Sequence, residues 1–325
     1  MKYLRTFDIK ALTESSLLTA LTVIAALVSV YVPILGIAAA LIWPLPVIVI
    51  VVRHGLRWGI ISTIASTIIM SILIMPTIAL RMALGFMLPA LVLGYGFYAQ
   101  WSAAKNLLLS LCVSVISMLS ALALTFFIMD INPLAAQMDT LKESFDMSIS
   151  LYETMGISAE ELAERKAILD QSFKLLELIM PLVLVLSSLI VTILNFALGG
   201  MVLRRLGHKV NVLPPFNEWR FPQVFAYIMG FALVGLYWGF TRDIQMLTQV
   251  SLNFFFLCFI AGFIQGAALL RAITDKYHIP RVFYYMVVAF IFLSGLPGQV
   301  MSFTGIFDMV FDYRKRFNIT AGKQL

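Results

Sequence analysis

Apolar runs of about twenty residues follow one another along almost the whole chain, and lysine and arginine are confined to the connections between them. A run of that length matches the ~30 Å hydrocarbon core of a bilayer when helical. A backbone surrounded by lipid must also satisfy its own hydrogen bonds, which a helix does. The pattern therefore specifies an all-α fold, a polytopic transmembrane helical bundle. Residues 15–32, a second run ending at Val52, then 58–75, 80–99, 106–129, 175–203, 223–240, 244–270 and 282–296 read as nine spans. Residues 299–311 form a short final segment, giving nine or ten in all. Pro33, the Trp43-Pro44-Leu45-Pro46 stretch, Pro76, Pro89 and Pro297-Gly298 punctuate these runs. Only 12% of residues are charged, against about a quarter in soluble domains, so a soluble catalytic domain has no place in the chain.

The basic residues orient the bundle. One set of alternate connections holds Lys2, Arg5 and Lys10, then Arg53 and Arg57, Lys105, the cluster Arg204, Arg205, Lys209 and Arg220, and finally Arg271, Lys276 and Arg281. The opposite short connections hold only Arg242, with Arg81 just inside a helix. Positive charge marks the cytoplasmic side, which places the N-terminus there and implies a bacterial inner-membrane, multi-pass protein. The net charge of +6 belongs to this orientation and points to a lipid bilayer rather than to nucleic acid. The tail Arg314-Lys315-Arg316 obeys the rule if 299–311 is a tenth crossing; a re-entrant or interfacial segment is the alternative, since 13 residues make only ~20 Å of helix.

One connection is long. Residues 130–174 face outside by this count and carry nine Asp/Glu against four Lys/Arg. Leu134, Met138, Leu141, Phe145, Ile149 and Tyr152 recur at steps of three and four, the spacing of one helix face. Gly156 suits a helix stop, and Ser158 followed by Glu161 is a capping-box pattern opening a second helix. An extracytoplasmic acidic hairpin between spans 5 and 6 results, either packed on itself or poised as a lid. The chain divides into 1–203, a six-span bundle bearing this hairpin, and 204–325, three to four further spans with a basic tail.

Chemistry is sparse. Phosphate-binding, metalloprotease and nucleophile-elbow motifs are absent, and Cys112 and Cys258 are too few for a metal cluster. No catalytic residue, metal or cofactor is expected, and no enzyme activity. Spans 1 to 9 hold no carboxylate in their interiors, so a proton relay of the usual kind is not indicated. Arg81, near the outer face, either snorkels or serves as the cation of an outward-facing ligand site. Asn195, Asn253 and Gln265 are the amides at depth, suited to inter-helix hydrogen bonds or to a ligand. Small-x-x-x-small pairs fit helix packing or partner docking: Ser16 with Ala20 and Thr22 with Ala26 in span 1, Ala90 with Gly94, and Gly262 with Gly266. The loop Pro214-Pro215-Phe216 through Trp219 to Pro222 carries the aromatic and basic residues of a membrane interface. Asp308 and Asp312, four apart with Arg316 a turn on, read as a salt-bridged helix end or a docking surface.

The Pro44-Leu45-Pro46 break, the Arg53-His54-Gly55 turn, Leu88-Pro89 with Gly94, Pro214-Pro215-Phe216 through Trp219, and the tail from Gly305 to Arg316 together resemble the YybS-like family of bacterial membrane proteins. Members are remotely similar to the substrate-binding S components of energy-coupling-factor transporters. That resemblance implies a six-helix bundle opening outward to a small solute and docking through an Ala-x-x-x-Ala strip on a transmembrane coupling subunit with ATPases. Here Ser16, Ala20, Thr22 and Ala26 would form the strip, which is small but not alanine throughout. The family carries no assigned activity, so the resemblance supplies no site residues. The expectation is an integral membrane protein that binds, or helps transport, a small solute with energy from a partner. The alternative is a scaffold recruiting cytoplasmic proteins through the 210–222 loop and the tail. A lipid-modifying enzyme is disfavoured for want of a catalytic cluster.

Overall fold

The computed structural model describes residues 9–130, 132–155 and 158–316, and every regular element among them is helical. Among the described residues, seven helices are long and apolar enough to cross a bilayer. A bent pair and a broken apolar segment occupy the remaining expected positions. Contacts divide the chain into two units: residues 1–167 with 184–213, and residues 168–183 with 214–325. Lys2 and Arg5 lie outside the described residues.

In unit 1, α1 (Ile9–Tyr31) is followed by the short helices α2 (Pro33–Ile42) and α3 (Leu45–His54). They return along α1 as one broken pass, since Arg53 Nη1 donates to Glu14 Oε2 at 3.0 Å and His54 Nε2 lies 2.9 Å from the same oxygen. Pro44 and Pro46 stand where the break falls; proline suits a helix's first turn, where no donor is needed. Gly55 then turns the chain at φ +88°, a conformation only glycine adopts freely. Helix α4 (Leu56–Leu73) runs back beside α1, with Thr19 Oγ1 and Ser62 Oγ 2.6 Å apart. The next pass is built from α5 (Pro76–Met82), a π-helical turn (Ala83–Met87) and α6 (Leu88–Tyr98). Pro89 has no N–H for the ladder and its ring presses on the preceding turn, and the widened turn sits immediately before it. Helix α7 (Ala103–Met129) completes the run of passes.

Beyond α7, the acidic connection is the expected helical hairpin. Asn132 caps α8 (Pro133–Thr154), and Ser158 Oγ accepts the Glu161 N–H at 3.3 Å to open α9 (Ala159–Arg205). Met138 and Ile149 of α8 and Leu162 of α9 are buried, and Arg165 stacks over Tyr152 at 5.6 Å. Leu141 and Phe145 on the expected face stay exposed. Gly156 lies outside the described residues. The core of unit 1 surrounds α3: Val47, Ile48 and Val51 are fully buried and share a cluster with Leu93, Phe97, Phe196 and Leu203. A run apolar on every face is what such a central position demands.

Unit 2 comprises α10 (Val224–Thr241), α11 (Gln245–Lys276), α12 (Arg281–Leu293), α13 (Gly295–Phe311) and α14 (Tyr313–Arg316), with residues 168–183 of α9. Helices α12 and α13 meet at 109°. The break falls at Ser294, before Pro297 rather than at it, so the proline belongs to the first turn of α13. Both limbs return to one polar network. Asp312 pairs with Arg220 at 2.9 Å, Arg314 Nη1 donates to the Asn217 carbonyl, and Asn217 Nδ2 donates to Asp275, six residues before α12 begins. The bent pair of α12 and α13 is thus one broken span or a re-entrant loop, where separate segments at 282–296 and 299–311 were expected.

Candidate functional site

In unit 1, small polar side chains line one face of each of two helices. On α7, Asn106, Ser110, Ser114 and Ser117 are buried at helical spacing, and on α9 so are Ser188, Thr192 and Asn195. Between them and the π-helical turn lies a cavity of ≈ 10 Å³, lined by Gly85, Phe86 and Pro89 on one side and by Ser110, Ser114, Thr192 and Asn195 on the others. That is room for about one water. Some of its polar groups are satisfied: Ser110 donates to Asn106 Oδ1 at 3.4 Å, and Asn195 Nδ2 donates to the Val191 carbonyl at 3.0 Å. Asn195 Oδ1 and Thr192 Oγ1 are buried with no partner. A buried polar atom left unpaired costs ~1–3 kcal/mol, and π-helical turns concentrate at functional sites. Phe86 separates the cavity from Trp43, meeting its ring edge-on at 5.6 Å. The indole N–H of Trp43 is also buried without a partner.

Arg81 stands elsewhere. It is exposed on α5 and lines a second opening of ≈ 30 Å³ with Thr77, Ile78, Leu124, Thr125 and Ile128. Among the described residues it takes part in no hydrogen bond or ion pair. Ser114 and Thr125, one in each lining, are ~16 Å apart along α7, so the structure strings Arg81 and Asn195 along one helix interface without bringing them together.

Asn253 has a different place, in unit 2. Its Oδ1 accepts the Leu182 N–H at 2.8 Å, and its Nδ2 donates to the carbonyls of Leu178 at 2.8 Å and Gln249 at 2.7 Å. Leu182 N–H and Leu178 O would pair with each other in an unbroken helix. The amide splices the α9 ladder beside Pro181 and has no donor left for a ligand. Gln265 bridges likewise, accepting the Phe221 N–H at 3.0 Å and donating to Asp308 Oδ2 at 2.6 Å. Asp308 also accepts the Tyr313 N–H at 2.9 Å and lies 3.7 Å from Arg314 Nε. Both charges are nearly wholly buried, at 4% and 3% exposure. Asp308 and Asp312 were expected to make a salt-bridged helix end with Arg316 or a docking surface; Asp308 instead faces inward, and Asp312 pairs with Arg220. The hint available was a carboxylate inside an apolar run. The hydroxyl faces of α7 and α9 were legible from the spacing of their serines and threonine but went unread.

A family described as "Predicted membrane protein (DUF2232)" matches residues 20–309. The chain belongs to this family. It is 23% identical over 307 residues to "Uncharacterized protein YybS" of Bacillus subtilis (strain 168), covering 94% of this chain and 98% of that protein. The YybS-like resemblance of the motifs is borne out. No solved structure matches the chain.

The small-residue pairs of this DUF2232 chain divide by role. Gly262 and Gly266 are met by the backbone of Ser302 and Met301, and a Cβ on Gly305 would collide with the Gly262 carbonyl. Their partner is therefore α13 of the same chain. Gly94 lets α6 approach the α3 backbone at Ile48. In α1, Thr22 and Ala26 are fully buried while Ser16 and Ala20 are exposed. Six residues from 16 to 22 rotate the helix by ~240°, so the four residues do not form the continuous strip expected of them. Only Ser16 and Ala20 remain for a partner.

Proposed function

We propose that this protein binds a small polar solute in unit 1 and depends on a separate partner for any energy used in moving it. The observation that carries the reading is the pair of unpartnered buried atoms, Asn195 Oδ1 and Thr192 Oγ1, facing a cavity at the π-helical turn. A fold does not bury an unsatisfied acceptor without cost, and a ligand's N–H or O–H would offset that cost. The present cavity admits only water, so a larger solute requires α9 to move from α6 and α7. Arg81, at the opening farther along the same interface, suits the first encounter with an anionic group. The remote resemblance to S components read from the sequence motifs implies the same division of labour. The exposed Ser16 and Ala20 then offer a face to a transmembrane coupling subunit with ATPases. The chain sits in a bacterial inner membrane with its N-terminus and basic tail cytoplasmic and its acidic hairpin outside. No enzymatic role is proposed. The recruiting reading has less support, because Asn217, Arg220, Asp312 and Arg314 bond to one another or to α11.

Thermal unfolding of the purified full chain, screened against water-soluble vitamins, carboxylates and divalent cations, tests the proposal. A stabilising solute should lose its effect in Asn195→Leu and weaken in Arg81→Ala, with Arg81→Lys restoring only part of a bidentate anion contact. A stabilising solute that acts equally on Asn195→Leu refutes the site.

A further inference from the structure

Unit 2 carries a groove that none of the interactions above employs. Where α12 and α13 splay apart they leave a trough of ≈ 480 Å³ against α11. Leu269, Leu270 and Ile273 of α11, Val287 and Ile291 of α12 and Val300 of α13 form most of its wall, and no charged residue lines it. The volume falls within the range of small-molecule sites. Its lining has almost nothing for water to bond, and apolar cavities of this kind stay dry.

Charge at the end of the trough identifies what fills it. Leu269, Ile273 and Lys276 are spaced by four and three, so the lysine continues the face of α11 that forms the wall. Arg281 opens α12, and Lys276, His278 and Arg281 are all exposed at this neck. Asp275 beside them is held by Arg271 at 2.7 Å and by Asn217 at 3.0 Å. From Lys276 to Phe307 the sequence contains no carboxylate. The neck is thus cationic, directly beyond a hydrocarbon-lined trough.

We propose that this groove is a site for one anionic phospholipid, its acyl chain beneath the α12–α13 elbow and its phosphate at Lys276 and Arg281. A zwitterionic lipid offers the same chain and phosphate, but its ammonium offsets the attraction. Two basic residues at a membrane surface favour the anionic headgroup by about thirtyfold.

The test uses the full chain, delipidated in a neutral detergent and titrated with phosphatidylglycerol or phosphatidylcholine of matched chains. Binding is read by native mass spectrometry and by the unfolding temperature. Phosphatidylglycerol should bind at one per chain, raise the unfolding temperature and exceed phosphatidylcholine by about thirtyfold in affinity. Combining Lys276→Gln with Arg281→Gln should reduce that preference to about threefold or less. Ile291→Trp should fill the trough and abolish binding of both lipids; Val300→Trp, on its exposed wall, serves if the first variant fails to fold. Equal binding of the two lipids by the parent, binding of neither, retention of binding in the filled variants, or a co-purifying polypeptide displaced by neither lipid would each overturn the proposal.

Discussion

The two units hold their helices together by different means. In unit 1 the buried polar groups are mostly hydroxyls returned to their own helix, as when Thr22 bonds Leu18 O at 2.9 Å and Ser66 bonds Ser62 O at 2.8 Å. The helices meet through side chains such as Ile48, Phe97 and Phe196. In unit 2 backbone meets backbone across Gly262, Gly266 and Gly305, and an ion pair with two bridging amides fixes the hairpin. Hydroxyls bonded locally leave the seam between helices free to part, whereas glycine contacts and a buried ion pair permit one arrangement. The difference suits the proposed solute site, which needs helices that can part, to unit 1 and a fixed arrangement to unit 2.

The largest effect should come from Asp308→Ala. It strands Arg314 in the interior and should cost ~3–5 kcal/mol in equilibrium unfolding. Adding Arg314→Leu should recover much of that loss, because the stranded charge goes with it; a double variant as unstable as the single one would deny the pairing. Gly305→Val should cost about 3 kcal/mol or more, since a side chain there meets the α11 backbone. Its unfolding should begin in unit 2, seen as early loss of hydrogen-exchange protection in α13. Asn253→Leu should cost ~1–2 kcal/mol in the parent and distinctly less beside Pro181→Ala, where α9 can close its own ladder. Equal costs in the two backgrounds would deny the splice. Thr192→Val should be the smallest and of opposite sign, stabilising the solute-free chain by about 1 kcal/mol, because it removes a buried hydroxyl that has no bond to lose. A cost above about 2 kcal/mol would show that Thr192 is paired within unit 1.

Each helical pass was legible because twenty apolar residues between basic connections admit few alternatives, and the cap at Ser158 was legible because its signal is local. The bend between α12 and α13 was not. Its angle at Ser294 depends on α13 finding the glycines of α11, more than thirty residues earlier in sequence. Asp308 misled for the same reason: its neighbours Asp312 and Arg316 suggested a salt-bridged helix end, while its partner Gln265 is distant in the chain. Of the residues singled out for a ligand, Asn195 lies at an unsatisfied cavity, Arg81 at a separate opening and Asn253 inside a helix splice. Sequence spacing identified amides at depth, and only the fold distinguishes a satisfied amide from an orphaned one.

That distinction gives the most direct test of the claim that unit 1 holds the solute. The full chain would be extracted gently into lipid nanodiscs, washed, and denatured, and the water-soluble molecules released from the parent, Asn195→Leu and Asn253→Leu would be quantified by mass spectrometry. A molecule released near one per chain by the parent and by Asn253→Leu, and missing from Asn195→Leu, is the predicted result. A molecule released equally by the parent and Asn195→Leu but lost from Asn253→Leu would contradict the account.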